Sequence, residues 1–205
     1  MPRMPIQNDV RPAVAEDAER IAATLTRAFD DDPMMGWFFP DERSRAAGLG
    51  RYFTTIFTRQ YGPYGMCERT DDAAAFWVPP EAQDKVVPDA TTLGELADVL
   101  GDRAELFREA VALAAEHGPK EPHWYLAVVG ADPAARGKGH GAALLRSGLE
   151  RADAAGLPVY LESSKEANVP FYEHFGFTVL AEAGLPHGGP PVWAMRRAPR
   201  PATAV

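Results

Sequence analysis

One short run, Arg136-Gly137-Lys138-Gly139-His140-Gly141, constrains this chain more than any other stretch. Before it stands an apolar, β-rich segment, Trp124-Tyr125-Leu126-Ala127-Val128-Val129, which reads as a buried strand. Gly130 and the turn signal Ala131-Asp132-Pro133 follow. After the glycines, Leu144, Leu145, Leu149 and Ala152 recur at helical spacing. A strand, a glycine loop and a helix start, in that order, offer backbone N–H groups and a positive dipole end to an anion. Glycine also lets phosphate oxygens approach the backbone with no Cβ in the way. A glycine triplet can serve a tight turn and nothing more, so the flanking pattern has to decide.

Two familiar phosphate loops do not fit. The ATP-type loop needs a hydroxyl residue after Gly-Lys, and Lys138 is followed by Gly139. The dinucleotide fingerprint needs G-x-G-x-x-G, where this chain has G-x-G-x-G. Further on, Val159-Tyr160-Leu161-Glu162 reads as a second buried strand. Asn168 and Tyr172 then stand one helical turn apart, and Gly176 is placed to end that helix in a left-handed conformation before Phe177. The pair of motifs, Arg136 to Gly141 and N-x-x-x-Y-x-x-x-G-F, resembles the GNAT superfamily of acyl-coenzyme A N-acyltransferases.

That resemblance implies an α+β fold: a mixed, mostly antiparallel twisted sheet flanked by helices, splayed into a V where the Val129 and Tyr160 strands part. It implies acetyl-coenzyme A as donor. Val129, Gly130 and Ala131 would pair with its pantetheine arm. Arg136, Gly137, Lys138, Gly139, His140, Gly141 and Ala142 would hold the diphosphate, with Asn168 and Tyr172 completing the site. Tyr172 is the expected acid for the departing thiolate, since a phenol is protonated at neutral pH. Glu162 is the expected base, with Glu121, His123 or a water chain as alternatives. No metal is expected, because the five histidines and Cys67 show no ligand-type spacing.

The first half gives less away. A first edge strand is expected at Val10-Arg11-Pro12-Ala13-Val14, then a helix carrying Ile21, Leu25, Ala28 and Phe29 on one stripe. Asp30-Asp31-Asp32-Pro33 stops it, and three aspartates sit badly at a helix C-terminus. Asp32 is therefore taken as a site residue. Met34 to Pro40 reads as an aromatic loop, with Trp37 and Phe38, and Trp77 from a hairpin at 66–78, as walls of an apolar acceptor pocket. A helix with Leu49, Phe53, Ile56 and Phe57, and a helical insert at about 90–118, complete this half.

Composition narrows the partners. The net charge of −8 argues against nucleic acid and mildly favours a cationic acceptor. No run approaches the length of a membrane span, the start lacks a signal-peptide core, and a single cysteine fits a reducing cytoplasm. The expectation is one domain over 1–205 with a disordered tail at 198–205, a monomer or homodimer. Its acceptor would be a primary amine of a small molecule, such as a puromycin-like aminonucleoside or another amine antibiotic. A protein N-terminus as acceptor, and a silent acyl-coenzyme A sensor, are the rival readings.

Overall fold

A computed structural model describes residues 8–200 of the 205; of the tail expected at 198–205, residues 201–205 lie outside the described residues. Seven strands form one sheet: β1 (Arg11–Pro12), β2 (Met66–Arg69), β3 (Ala73–Val78), β4 (Trp124–Ala131), β5 (Val159–Ser163), β6 (Thr178–Gly184) and β7 (Pro191–Arg197). Their order is β1-β2-β3-β4-β5-β7-β6. Only β4 and β5 run parallel, so they require a crossover, and α6 (His140–Ala154) supplies it.

Residues of β3 face alternately two cores. Ala74 and Phe76 pack with α1 (Ala18–Phe29), α2 (Pro33–Phe38), α3 (Glu42–Thr55), α4 (Ala90–Leu100) and α5 (Ala104–His117). Ala73, Ala75 and Trp77 pack on the other face with α6 and α7 (Val169–His174). With both faces covered, all of β3 is buried. Trp77 is sealed completely, against Gly148 of α6, where a Cβ would fall 2.0 Å from the indole. The expectation that Trp77 lines a pocket is corrected by that burial.

The stretch read as an aromatic loop is also different. Pro33 to Phe38 form the short helix α2, because Asp32 caps it by accepting the Met35 N–H and Pro33 occupies its first turn. Helix α3 runs on into a π-helical stretch, Ile56–Tyr61.

The V lies between β4 and β5. They pair only at Trp124↔Val159 and Tyr125↔Tyr160. Where they part, β4 carries a bulge: Phe76 faces Val128 and Trp77 faces Leu126, leaving Ala127 extra. Beyond it β4 stays paired to β3 out to Ala131, so its other edge faces open space. Gly130 turns toward α1, where a Cβ would come within 3.0 Å of Phe29, Leu25 and Ala28. Its missing side chain lets α1 lie close against β4.

Candidate active site

A cleft of about 1770 Å³ fills the V and extends under α4 and α5. That exceeds the usual ligand cavity of roughly 300–1,000 Å³, so it has room for two bound molecules. The first arm is built from backbone. Val129, Gly130 and Ala131 present the free edge of β4 to it. Next comes a short 3₁₀ turn, Pro133–Ala135, held by Asp132, whose carboxylate accepts the Ala134 N–H. Gly137 and Gly139 both have positive φ, 78° and 88°, which only glycine adopts cheaply. Gly139 caps α6, so the first-turn amides of His140, Gly141 and Ala142 have no intrahelical acceptor.

Arg136, Gly137, Gly139, His140, Gly141 and Ala142 line this arm. Lys138 does not: its side chain is exposed at the loop surface, and its carbonyl accepts from Asn8 Nδ2 at 2.9 Å. His140 lines the cleft, but its ring is engaged elsewhere. Nδ1 lies 3.0 Å from the Thr70 hydroxyl and Nε2 3.5 Å from Asp72, which ties the β2–β3 turn to the start of α6.

Opposite stand Asn168 and Tyr172. Asn168 is exposed at the mouth, while Tyr172 is only 7% exposed, held edge-on between Phe171 and Phe177. Gly176, at φ 92°, ends α7 as its spacing predicted. Behind it, buried Arg197 donates to both carboxylate oxygens of Asp153 on α6, at 2.7 and 2.8 Å, and to the Phe175 carbonyl at 2.9 Å. That clamp fixes α7 against the scaffold. Burial, and then the Asp32 carboxylate, raise the Tyr172 hydroxyl above the ordinary tyrosine value, so it keeps its proton at neutral pH.

Glu162 lies on the floor, half-buried, and accepts hydrogen bonds from the hydroxyls of Tyr125 and Tyr160, each at 3.2 Å. Burial, with Glu162 beside them, pushes both phenols up, so they remain donors. Their rings stack with centroids 6.1 Å apart. His123 sits beside them, its Nδ1 2.7 Å from the Glu121 carbonyl, while Glu121 itself is exposed and pairs with Arg196. Neither tyrosine was singled out from sequence. The register Tyr125↔Tyr160 across a parallel pair was the signal, and it exists only once the strands are aligned.

Among the residues expected to bind acceptor, Asp32 and Phe38 line the cleft, whereas Trp37 and Trp77 do not. Trp37 lies outside, half-buried against Gly189. Asp32 is buried and accepts the Ser164 hydroxyl as well as the Met35 N–H. Burial raises its carboxyl above the usual range. Its neighbour Asp31 accepts from Lys165 at 2.5 Å and lies 3.7 Å from Arg136, bridging the two lips of the V, and the Lys165 bond holds its carboxyl low.

This is the GNAT fold: a seven-stranded, mostly antiparallel sheet flanked by helices, opened beside β4. The Acetyltransferase (GNAT) family model matches residues 95–177, which contain both motifs. A solved Corynebacterium glutamicum structure, described as histone acetyltransferase HPA2 and related acetyltransferase, is 28% identical with a TM-score of 0.73, covering 95% of this chain and 98% of that one. Naa20 of Chaetomium thermophilum, solved with a bisubstrate analogue, shares the fold at 15% identity and a TM-score of 0.51, over 93% and 86% of the two chains. An uncharacterized N-acetyltransferase of Schizosaccharomyces pombe is 48% identical over 54 residues, which span 26% of this chain and 22% of that protein. Together these matches support an acetyltransferase enzyme. Among the described residues no helix is long and apolar enough to cross a membrane.

Proposed function

We propose that the protein transfers the acetyl group of acetyl-coenzyme A directly to a primary amine of a small molecule. One observation carries this reading: the free edge of β4 leads through a 3₁₀ turn and a glycine loop to a glycine-capped helix start, with a buried tyrosine lining the same cleft. A Cβ would add strain at Gly137 and Gly139, and the space beside Gly137 and Gly141 is open, as a diphosphate cradle needs. Acetyl-coenzyme A supplies an activated thioester carbonyl.

The chain's own groups then divide the work. Backbone N–H groups at Val129–Ala131 hold the pantetheine arm and the carbonyl oxygen, a donor role worth roughly 3 kcal/mol where charge develops. As the amine nitrogen bonds to the carbonyl carbon, its proton passes to Glu162, directly or through water. As the carbon–sulfur bond breaks, Tyr172 gives its proton to the thiolate. The products are an amide and free coenzyme A, and bulk solvent returns the proton from Glu162 to Tyr172.

The finer reading concerns the acceptor. Pro119 to Leu126, Leu161 to Ser164, Asn168 to Tyr172 and Pro190 to Arg196 resemble puromycin N-acetyltransferase, which makes puromycin the first compound to try. The test is free-thiol release with acetyl-coenzyme A over a panel of amines that includes puromycin and a peptide with a free N-terminus. Release with a small amine supports the proposal. No release with any amine, from protein whose melting temperature acetyl-coenzyme A raises, would leave the sensor reading in its place.

A further inference from the structure

The second arm of the cleft has a chemistry of its own. Among the described residues four carboxylates line the cleft: Asp31, Asp32, Glu162 and Glu166. Asp31 is ion-paired with Lys165, and Asp32 is buried under the Ser164 hydroxyl. Glu166 is exposed in the turn before Asn168, on the donor side. Glu162 is the carboxylate on the floor of the second arm, where it accepts from the Tyr125 and Tyr160 hydroxyls.

The wall above that floor is mostly apolar, with Arg108 of α5, paired to Glu105, as its charged member. Leu93 of α4 and Val111 of α5 are 41% and 49% exposed, yet both face the cleft, as do Phe171 (38%) and Leu180 (56%) from the opposite side. Four of the nine exposed large hydrophobic side chains among the described residues thus line one cavity. Apolar area left wet in a concave site marks where an apolar ligand body is covered.

The arm is also roofed. Phe107 of α5 packs edge-on against Phe38 and Tyr52, at 5.3 and 5.9 Å between centroids, and Glu109 on the same helix lies 2.7 Å from His187 in the β6–β7 connection. That connection in turn presses on α2, where a Cβ on Gly189 would fall 2.9 Å from the Trp37 ring.

We infer that the acceptor is a lipophilic primary monoamine, its nitrogen at Glu162 and its carbon body against the α4–α5 wall. This rests on the transfer function proposed above. A polyamine would bury a second ammonium against Leu93 and Val111, and a peptide would lay its polar backbone groups against the same apolar side chains.

The experiment is a homologous series of linear amines, butylamine to octylamine, with spermidine and a free-N-terminal peptide as counter-probes. Each added methylene should raise kcat/KM by roughly two- to fourfold. Spermidine should be at least about 100-fold poorer than octylamine. Val111→Glu, an exposed position that should still fold, should lower kcat/KM for octylamine about tenfold and raise it for spermidine, with an unchanged melting shift on adding acetyl-coenzyme A. A flat series with turnover, or faster turnover of spermidine or peptide, overturns the inference while leaving acetyl transfer standing. Calorimetry with coenzyme A present separates the opposite case. Affinity that climbs with chain length in the absence of thiol release keeps the pocket assignment and removes the transfer function.

Discussion

The two arms of the cleft are built in different ways, which sets how each would recognise the ligand proposed for it. The donor arm is made of backbone: the free edge of β4, two left-handed glycines and the first turn of α6, all within Val129 to Ala142. The acceptor arm is made of side chains from α1 through α5, from β4 and β5, and from the β6–β7 connection, residues far apart in sequence. A backbone site depends on local conformation and tolerates many side chains nearby. A side-chain site changes its ligand when a single wall residue changes. Substitutions in the donor arm should therefore affect every acceptor alike, and those in the acceptor arm should re-rank them.

The largest test is Tyr172→Phe, which removes one oxygen and keeps the ring. Single-turnover kcat should fall by about 10²–10⁴ for every amine, with little change in KM for acetyl-coenzyme A. A loss confined to some acceptors, or a kcat within about threefold of the parent, would break both the comparison and the assignment of Tyr172 as the acid. Gly139→Asp comes next. A Cβ at φ 88° adds strain, and a carboxylate opposes the diphosphate, so acetyl-coenzyme A affinity should drop by about 100-fold, read as a lost melting shift. An unchanged shift in folded protein would move the donor out of this arm.

Trp77→Phe should leave the ranking of acceptors intact, because Trp77 lies in the core with its indole nitrogen unpartnered. The expected cost is about 1–2 kcal/mol in urea unfolding. Altered acceptor preference would return Trp77 to the pocket wall. The smallest effect concerns pH. Tyr172 acts as an acid only while protonated, and burial with the Asp32 charge raises its pKa. The alkaline limb of kcat should therefore lie above pH ~10, the ordinary tyrosine value. Asp32→Asn removes the negative charge that disfavours the phenolate, so the limb should move to lower pH. A limb unmoved by that change would show that the fall reports another group.

Legibility in the sequence followed the same division. The conformation of the glycine loop could be read because its signals are consecutive: glycines that need positive φ, then apolar residues at helical spacing. Tyr172 and Gly176 were readable for the same reason, since one helical turn and one cap are local facts. Lys138 was misplaced because adjacency in a loop does not say which way a side chain leaves it. The Met34–Phe39 stretch hid a six-residue helix whose cap, Asp32, looked like the end of the helix before it. Trp77 could not be placed from alternation, because β3 is covered on both faces and every position in it is apolar.

By itself the sequence determined where the chain must bend, which faces must be buried, and where a helix start offers free amides to an anion. These follow from φ, from side-chain period and from helix ends, and need no distant partner. The tertiary structure alone decided that Glu162 would meet Tyr125, that Asp32 would take the Ser164 hydroxyl, and that α5 would roof the second arm through Phe107 and Glu109. Each of those contacts joins residues from different elements, so no local stretch of sequence shows it; the Tyr125–Glu162 contact in addition needs the parallel register of β4 and β5.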